Sequence, residues 1–500
     1  MKSFADKVGF TENTIKPDFS RTNYTDILLL ETPFLSSTGG EEVKAYVQSK
    51  YNLALLSLGS YIKHHSDLSV RLVNMVKDRM DEDTLLENIR RNPPRVLGVS
   101  LYSYSLSFAH KILCRVRKEL PGIHICVGGP HVSIFPKETA NLEPVDSIVL
   151  GDGEKPFLEI CRQVIKNGQL DLTSLPLGAY TRNNLPENGE IPSAVYENLD
   201  DLPMPDVTLL GDHKRYRDFL SNRVMAIIAS SRGCPYVCNY CSSGLSKYRS
   251  FSVEYVIRMM RHYKEKGVEY IEFWDDTFNP SDRRAREFAD ALLEADLGLS
   301  WGIHGAVVNH VSYDIMVKFK RTGLKVIQFG VESFNPRILN YLNKRLDWDK
   351  VKHAVDTCSR AGVHTVNNMI INIQGQTRKE ILEDFRLLKK INPTFLNINI
   401  YNWAPGTTHY FKALEESVVP YDYWREHATQ PKETDPIVHP INDTDLDEVY
   451  QMRERFVRSY YFNPSYIFNF LKTMEASDIL GAVHIAWLMG KSNVKLSFGT

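Results

Sequence analysis

The sequence predicts an α/β fold in three parts: an N-terminal doubly wound (Rossmann-like) domain, a partial (β/α)6 TIM-type barrel and a mainly helical C-terminal region. Two observations carry that expectation. Short apolar runs alternate with helical patterns, the signature of parallel strands joined by helical crossovers. The alternation is interrupted by a turn-rich interval near residues 170–220, with RNNLPENGEIP and LDDLPMPD, and then starts again at Arg223. The expected boundaries are 1–23 for an N-terminal extension, 24–168 for the first domain, 169–220 for a linker with a hairpin, 221–415 for the barrel and 416–500 for the helical region.

Composition bounds the rest. The 500 residues are 43% hydrophobic and 24% charged, which excludes a disordered, collagenous or coiled-coil chain. Sixty basic against 61 acidic residues give no global electrostatic case for nucleic acid as a partner. The N-terminus lacks an apolar core of signal-peptide length. The apolar stretch Ile479 to Met489 is broken by His484 and too short to span a bilayer. A cytoplasmic protein without a transmembrane segment is expected.

In the first domain, strands are expected at Asp26 to Leu30, Ser69 to Met75, Arg95 to Ser100, His124 to Gly128 and Val145 to Leu150, with helices at Leu53 to His64 and Pro156 to Lys166. Ligands of such sheets sit beyond the carboxyl ends of the strands. Those ends carry Thr32, Ser100 to Tyr104, Gly128-Gly129-Pro130-His131 and Gly151-Asp152-Gly153-Glu154. In the second set, strands are expected at Val224 to Ser230, Tyr270 to Trp274, Ser300 to Val307, Val326 to Val331, Thr365 to Ile373 and Phe395 to Tyr401. Between them, Ala285, Phe288 and Leu292 share one face of a helix N-capped by Ser281. The tail from Thr444 to Leu488 reads as helical; its aromatic residues Tyr460, Tyr461, Phe462, Tyr466 and Phe470 line either a pocket or a core.

Seven cysteines in a chain without a secretion signal argue against a disulfide framework. Cys114, Cys126, Cys161 and Cys358 are scattered and read as small buried hydrophobes. Cys234, Cys238 and Cys241 form a C-x3-C-x2-C array after the first strand of the barrel. Thiolates are soft ligands for iron–sulfur clusters, zinc or Cu(I). Three sulfurs on one loop suit three corners of a four-iron cluster and leave the fourth iron open. Structural zinc takes four protein ligands, so it would require His262 or His304 to arrive in space. Plain packing is the third reading.

The array, with Tyr240 before its last cysteine, resembles the radical S-adenosylmethionine (SAM) superfamily. That resemblance implies a 4Fe-4S cluster on Cys234, Cys238 and Cys241 whose free iron chelates SAM, and reductive cleavage to a 5′-deoxyadenosyl radical. It implies SAM-binding roles for Tyr240 and for Asp275 and Asp276 in Trp-Asp-Asp-Thr-Phe, near the methionine amino group. Glu332 and Ser333 in Gly-Val-Glu-Ser would serve the ribose, and Ile373 and Gly375 would lie against the nucleoside. Taken alone, the strand-end carboxylates also read as helix caps and the glycines as turns. An electron donor such as flavodoxin or ferredoxin is implied as partner.

The segments DILLLETP, RVLGVSLYSYS, ICVGGPHVSIFP and VDSIVLGDGEKPF resemble, in order, the cobalamin-binding domain fused to many radical SAM proteins. Cobalamin contacts are thereby implied for Thr32, Ser100, Tyr102, Ser103, Gly128, Gly129, His131, Gly151, Gly153 and Glu154. The loop Glu31 to Gly39 contains no histidine, a departure from the Asp-x-His-x-x-Gly motif, so the cofactor is expected base-off without a histidine on cobalt. His131 reads equally as a structural histidine.

The resemblance implies a cobalamin-dependent methyltransferase acting on an unactivated carbon or phosphorus centre of a small metabolite or lipid. The alternatives are a ring-forming or oxygenating enzyme like the anaerobic magnesium-protoporphyrin monomethyl ester cyclase, and a non-enzymatic corrinoid or cluster carrier or sensor. A carrier has no need of the SAM elements.

Overall fold

The computed structural model describes residues 25–33, 50–218 and 221–473. The expected N-terminal extension, most of the loop Glu31 to Gly39 and the stretch Ile479 to Met489 lie outside them.

The first sheet contains β1 (Ile27–Glu31), β2 (Val70–Asn74), β3 (Val96–Ser100), β4 (His124–Gly128), β5 (Ser147–Val149) and β6 (Ala179–Tyr180), in the order β2-β1-β3-β4-β5-β6. All pairs are parallel except β5 with β6. Ile27 to Leu30 are wholly buried because both faces are covered. Ile27 and Leu29 belong to a core shared with helices Leu53–His65 and Glu154–Asn167. Leu28 and Leu30 pack with helices Glu82–Arg91 and Leu106–Glu119 on the opposite face. The strand order reverses between β1 and β3, which opens a ligand crevice at their carboxyl ends. The expected linker hairpin is not what forms: Ala179–Tyr180 joins the first sheet as an antiparallel edge, and Ala194 bridges to Gly151.

The second sheet runs in sequence order through β7 (Met225–Ile228), β10 (Tyr270–Trp274), β11 (Ser300–Ala306), β12 (Leu324–Glu332), β13 (His364–Ile371) and β14 (Phe395–Ile400), all parallel. β7 and β14 do not pair, so the barrel is open. A short ribbon, β8 (Ser231–Arg232) with β9 (Arg249–Ser250), follows β7. Outside the barrel wall, Phe273, Phe278, Phe288, Trp301 and Phe319 form a mostly edge-to-face aromatic cluster. Ser281 does cap helix Asp282–Ala295, accepting from the Arg284 N–H.

The open edge is covered by the N-terminal domain. Tyr51 Oη donates to Ile227 O at 2.8 Å and accepts from Ile227 N–H at 2.6 Å, occupying backbone groups a further strand would pair. The C-terminal aromatics resolve to packing. Phe456 stacks on Phe385 at 4.0 Å, Tyr461 Oη accepts from the Leu396 N–H, and Tyr466 stacks on Phe470 beside Phe395. Among the described residues no helix is long and apolar enough to cross a membrane.

Candidate active site

The cysteine loop follows β7 and lies between the two strands of the ribbon, β8 and β9. Its base is fixed by Asp275, whose carboxylate accepts from the Ser230 N–H at 3.0 Å, the Ser230 hydroxyl at 2.8 Å and the Ser231 hydroxyl. Burial pushes that carboxyl up to about 6 against these hydrogen bonds. Asp275 therefore differs from the expected SAM contact: it is spent inside the protein, holding the loop. Asp276 points the other way, accepting from Ser243 Oγ at 2.8 Å, while the Ser243 N–H approaches Cys241 Sγ at 3.4 Å. Cys234 Sγ lies 3.1 Å from Thr277 Oγ1. The second strand end thus lies directly against the cysteine loop.

All three cysteines are free thiols. Burial, then neighbouring charge, pushes Cys238 and Cys241 above the ordinary thiol range, with the Lys344 ammonium opposing the shift at Cys238. Three mutually repelling thiols on one loop fit a cationic iron–sulfur cluster, whose charge would favour the thiolates. Among the described residues no three His, Cys, Asp or Glu groups stand close enough together to hold a single metal ion. The two candidate fourth zinc ligands are committed elsewhere, His262 to Pro205 O and His304 to Glu272.

Across the mouth, Glu332 ends β12 in the left-handed region at φ +68° after a register shift. That turn directs its buried carboxylate at the cysteine loop, where Oε1 accepts from Tyr240 Oη at 3.0 Å and pairs with Lys344 Nζ at 2.7 Å. Ser333 turns away and donates to buried Asp384 at 2.7 Å, so it anchors the strand end. The Ile373–Gly375 turn is held by Asn442, which donates to Asn372 Oδ1 and Ile373 O and accepts from the Gly375 N–H. Beside it Gln374 Oε1 is buried without a partner, a polar atom that a bound nucleoside would satisfy.

At the first sheet the expected contacts divide. Thr32, Ser100 and Tyr102 surround the β1/β3 crevice. Tyr102 is 37% exposed and accepts from Asn52 Nδ2 at 3.1 Å. His131 is buried: its Nδ1 lies 2.9 Å from Ser103 Oγ, its Nε2 has no partner, and burial pushes it down to about 3, so it is neutral. A ligand edged with amides fits that orphaned nitrogen. Gly128 has Val149 O 3.4 Å from where a Cβ would stand. Four of the expected contacts are engaged within the protein itself. Gly129, at φ +96°, has no room for a Cβ because Ser100 Oγ would be 2.7 Å away. Gly151, at φ +79°, is covered by Ala194, and Gly153 abuts Leu58, so these turns serve packing. Glu154 is buried and pairs with Arg232 at 2.6 Å, while Asp152 pairs with Arg232 at 2.7 Å and with Arg249. These two carboxylates bind the cysteine ribbon.

Tyr104 Oη also donates to Asn402 Oδ1 beyond β14, and Ser107 Oγ to Asp435. The carboxyl ends of β3 and β5 therefore meet the loops beyond the carboxyl ends of β7 and β14, so the crevice of the first sheet opens toward the barrel mouth. Sequence reasoning missed Lys344, Ser243 and Asn442. None carries a spacing signal; each acts through a neighbour brought by the fold.

Residues 228–388 match the sequence model of the radical SAM superfamily, and residues 46–161 that of the B12 binding domain. The chain is 27% identical to an uncharacterized methyltransferase of Pyrococcus horikoshii over 82% of this chain and 88% of that one. It is 23% identical to the anaerobic magnesium-protoporphyrin IX monomethyl ester cyclase of Rubrivivax gelatinosus over 75% and 68%. The solved structure of the radical S-adenosylmethionine methyltransferase TsrM from Kitasatospora setae shares the fold, with a TM-score of 0.66 at 14% identity over 88% of this chain and 90% of that one.

Proposed function

The chain belongs to the cobalamin-binding radical SAM family, and from that membership we propose that it is a methyltransferase acting on an unactivated carbon, or phosphorus, centre of a small metabolite or lipid. The observation that carries this reading is the meeting of the cysteine loop with the carboxyl end of the first sheet through Arg232, Asp152 and Glu154. Similarity to a methyltransferase over most of both chains supports it.

When bound, the cluster and SAM supply a 5′-deoxyadenosyl radical, and cobalamin supplies the methyl group. Cys234, Cys238 and Cys241 hold the cluster. Asp276 receives the methionine ammonium, an opposite-charge match. Glu332, held by Tyr240 and Lys344, accepts from the ribose hydroxyls, and Ile373 and Gly375 seat the nucleoside. Thr32, Ser100, Tyr102, Ser103, Gly128 and His131 border the corrin. In this reading residues 24–168 carry cobalamin, 169–220 link, 221–415 carry the cluster and SAM, and 416–500 brace the barrel. The protein works in the cytoplasm with reduced flavodoxin or ferredoxin as electron donor. Holding the reacting centre between two cofactors supplies proximity.

The test is anaerobic incubation of the reconstituted protein with methyl-labelled SAM, cobalamin and a metabolite and lipid extract. One 5′-deoxyadenosine and one S-adenosylhomocysteine are expected per labelled product, and none with Cys234, Cys238 and Cys241 changed to Ala. Deoxyadenosine without label in any product rejects methylation and favours the cyclase-like alternative.

A further inference from the structure

The inner wall of the barrel holds a charged and aromatic cluster with no part in the assignments above. On β10, Ile271 and Phe273 are fully buried, and Phe273 packs outward against Phe288 and Trp301. Strand alternation therefore turns Glu272 and Trp274 inward. Trp274 is the register partner of His304 on β11, and their rings stand 5.2 Å apart. Lys50, just ahead of the Tyr51 plug, enters from the N-terminal domain. Its ammonium lies 2.6 Å from Glu272 Oε2 and 4.5 Å from the centre of the Trp274 ring. His304 Nε2 takes the other oxygen, Oε1, at 2.6 Å.

Glu272 thus spends both oxygens inside the cluster and fixes the Lys50 ammonium and the His304 ring in place. A lysine ammonium has three N–H donors, so one contact to Glu272 leaves others to present. Trp274 stands on an inward-facing strand position and is 41% exposed. A large apolar ring left open beside a fixed ammonium and imidazole is the composition of a ligand subsite.

Resting on the methyltransferase reading, we propose that Lys50, His304 and Trp274 form the substrate subsite and select a planar, unsaturated group bearing a carboxylate. The plane stacks on Trp274, the carboxylate is taken by Lys50 with His304 beside it, and Glu272 is the positioning residue that holds both.

The test is binding without turnover: calorimetric titration of the full-length, cofactor-reconstituted protein with naphthalene-2-carboxylate and its neutral twin, 2-naphthamide. The acid is expected to bind at least about tenfold tighter than the amide, the scale of one charge-assisted hydrogen bond. Lys50→Met should bring the acid to the level of the amide and leave the amide unchanged, Lys50→Arg should keep the preference, and Trp274→Ala should weaken both probes by about tenfold. Equal binding of the two probes, binding of neither, or a preference that survives Lys50→Met overturns the subsite. Because no methyl transfer is read, these results stand apart from the labelling test. Failed labelling with the preference intact rejects the reaction, and successful labelling without the preference rejects the subsite.

Discussion

Glu31 closes β1 at the point where the strand order reverses. The Asn52 N–H donates to its carboxyl at 3.0 Å and Asn74 Nδ2 at 2.8 Å, yet burial outweighs both and pushes it up to about 8. A carboxyl raised in the folded state contributes stability that is complete below its ordinary value near 4.5 and is lost as pH rises toward 8. Glu31→Gln keeps the shape and removes the titration. Its melting temperature is therefore expected to match the parent near pH 5, exceed it increasingly up to about pH 8, and hold that margin above. The margin grows by at most about 1.4 kcal/mol for each tenfold fall in proton concentration across that range. A constant difference across that range would show that Glu31 does not titrate there. At this scale the sequence disclosed what residue chemistry alone signals. Three thiols within eight residues name a cluster loop, and Asp276 and Glu332 reach it from the strand ends. It did not separate Asp275 from Asp276, since neighbouring carboxylates leave the chain in opposite directions. Nor did it disclose the Lys50–Glu272 pair, whose partners stand 222 residues apart.

The two-strand ribbon β8–β9 brackets the cysteine loop, and its position is set from the other domain. Arg232 forks between Asp152 and Glu154, both under a tenth exposed, and Ser57 Oγ donates to the same Glu154 oxygen at 2.6 Å. Removing one partner of a buried ion pair leaves an unpaired charge and costs about 3–5 kcal/mol. Arg232→Gln is expected to lose that much in equilibrium denaturation of the whole chain. Arg232→Lys should lose less, because one ammonium keeps the charge but not the fork. An Arg232→Gln variant within about 0.5 kcal/mol of the parent would make the ribbon independent of the first domain, as an ordinary surface change would be. All five parallel strands of the first sheet and all six of the barrel were legible, because runs such as ILLL and YIEFW carry their own β pattern. β6 and the ribbon were not. Two-residue strands take their character from the partner they meet, Ile148–Val149 for β6 and each other for β8 and β9.

Among the described residues the molecule is built on two sheets, one parallel throughout and one parallel except for β6, whose carboxyl ends face one another, clasped by Tyr51 on β7, Arg232 on the β5 loop, Tyr104 on the β14 loop and Ser107 on Asp435. Each clasp joins residues far apart in sequence, so the two domains were legible singly while their apposition was not. The apposition decides how cobalamin is held. A corrin in the β1/β3 crevice would lie between the first domain and the barrel mouth, and in the first domain the loop after β1 is where the Asp-x-His-x-x-Gly motif would supply an imidazole. The segment Glu31 to Gly39 offers none. His131 stands one strand further along, buried and neutral, with Nδ1 against Ser103. Its place after β4, one strand from the β1/β3 crevice, is why we read it as a residue that would border the corrin edge. Electron paramagnetic resonance of the anaerobic protein loaded with cob(II)alamin is therefore expected to show a base-off spectrum with no nitrogen hyperfine splitting, unchanged in form by His131→Ala. Triplet nitrogen splitting in the parent that disappears in His131→Ala would instead make this histidine the axial ligand through its unpartnered Nε2.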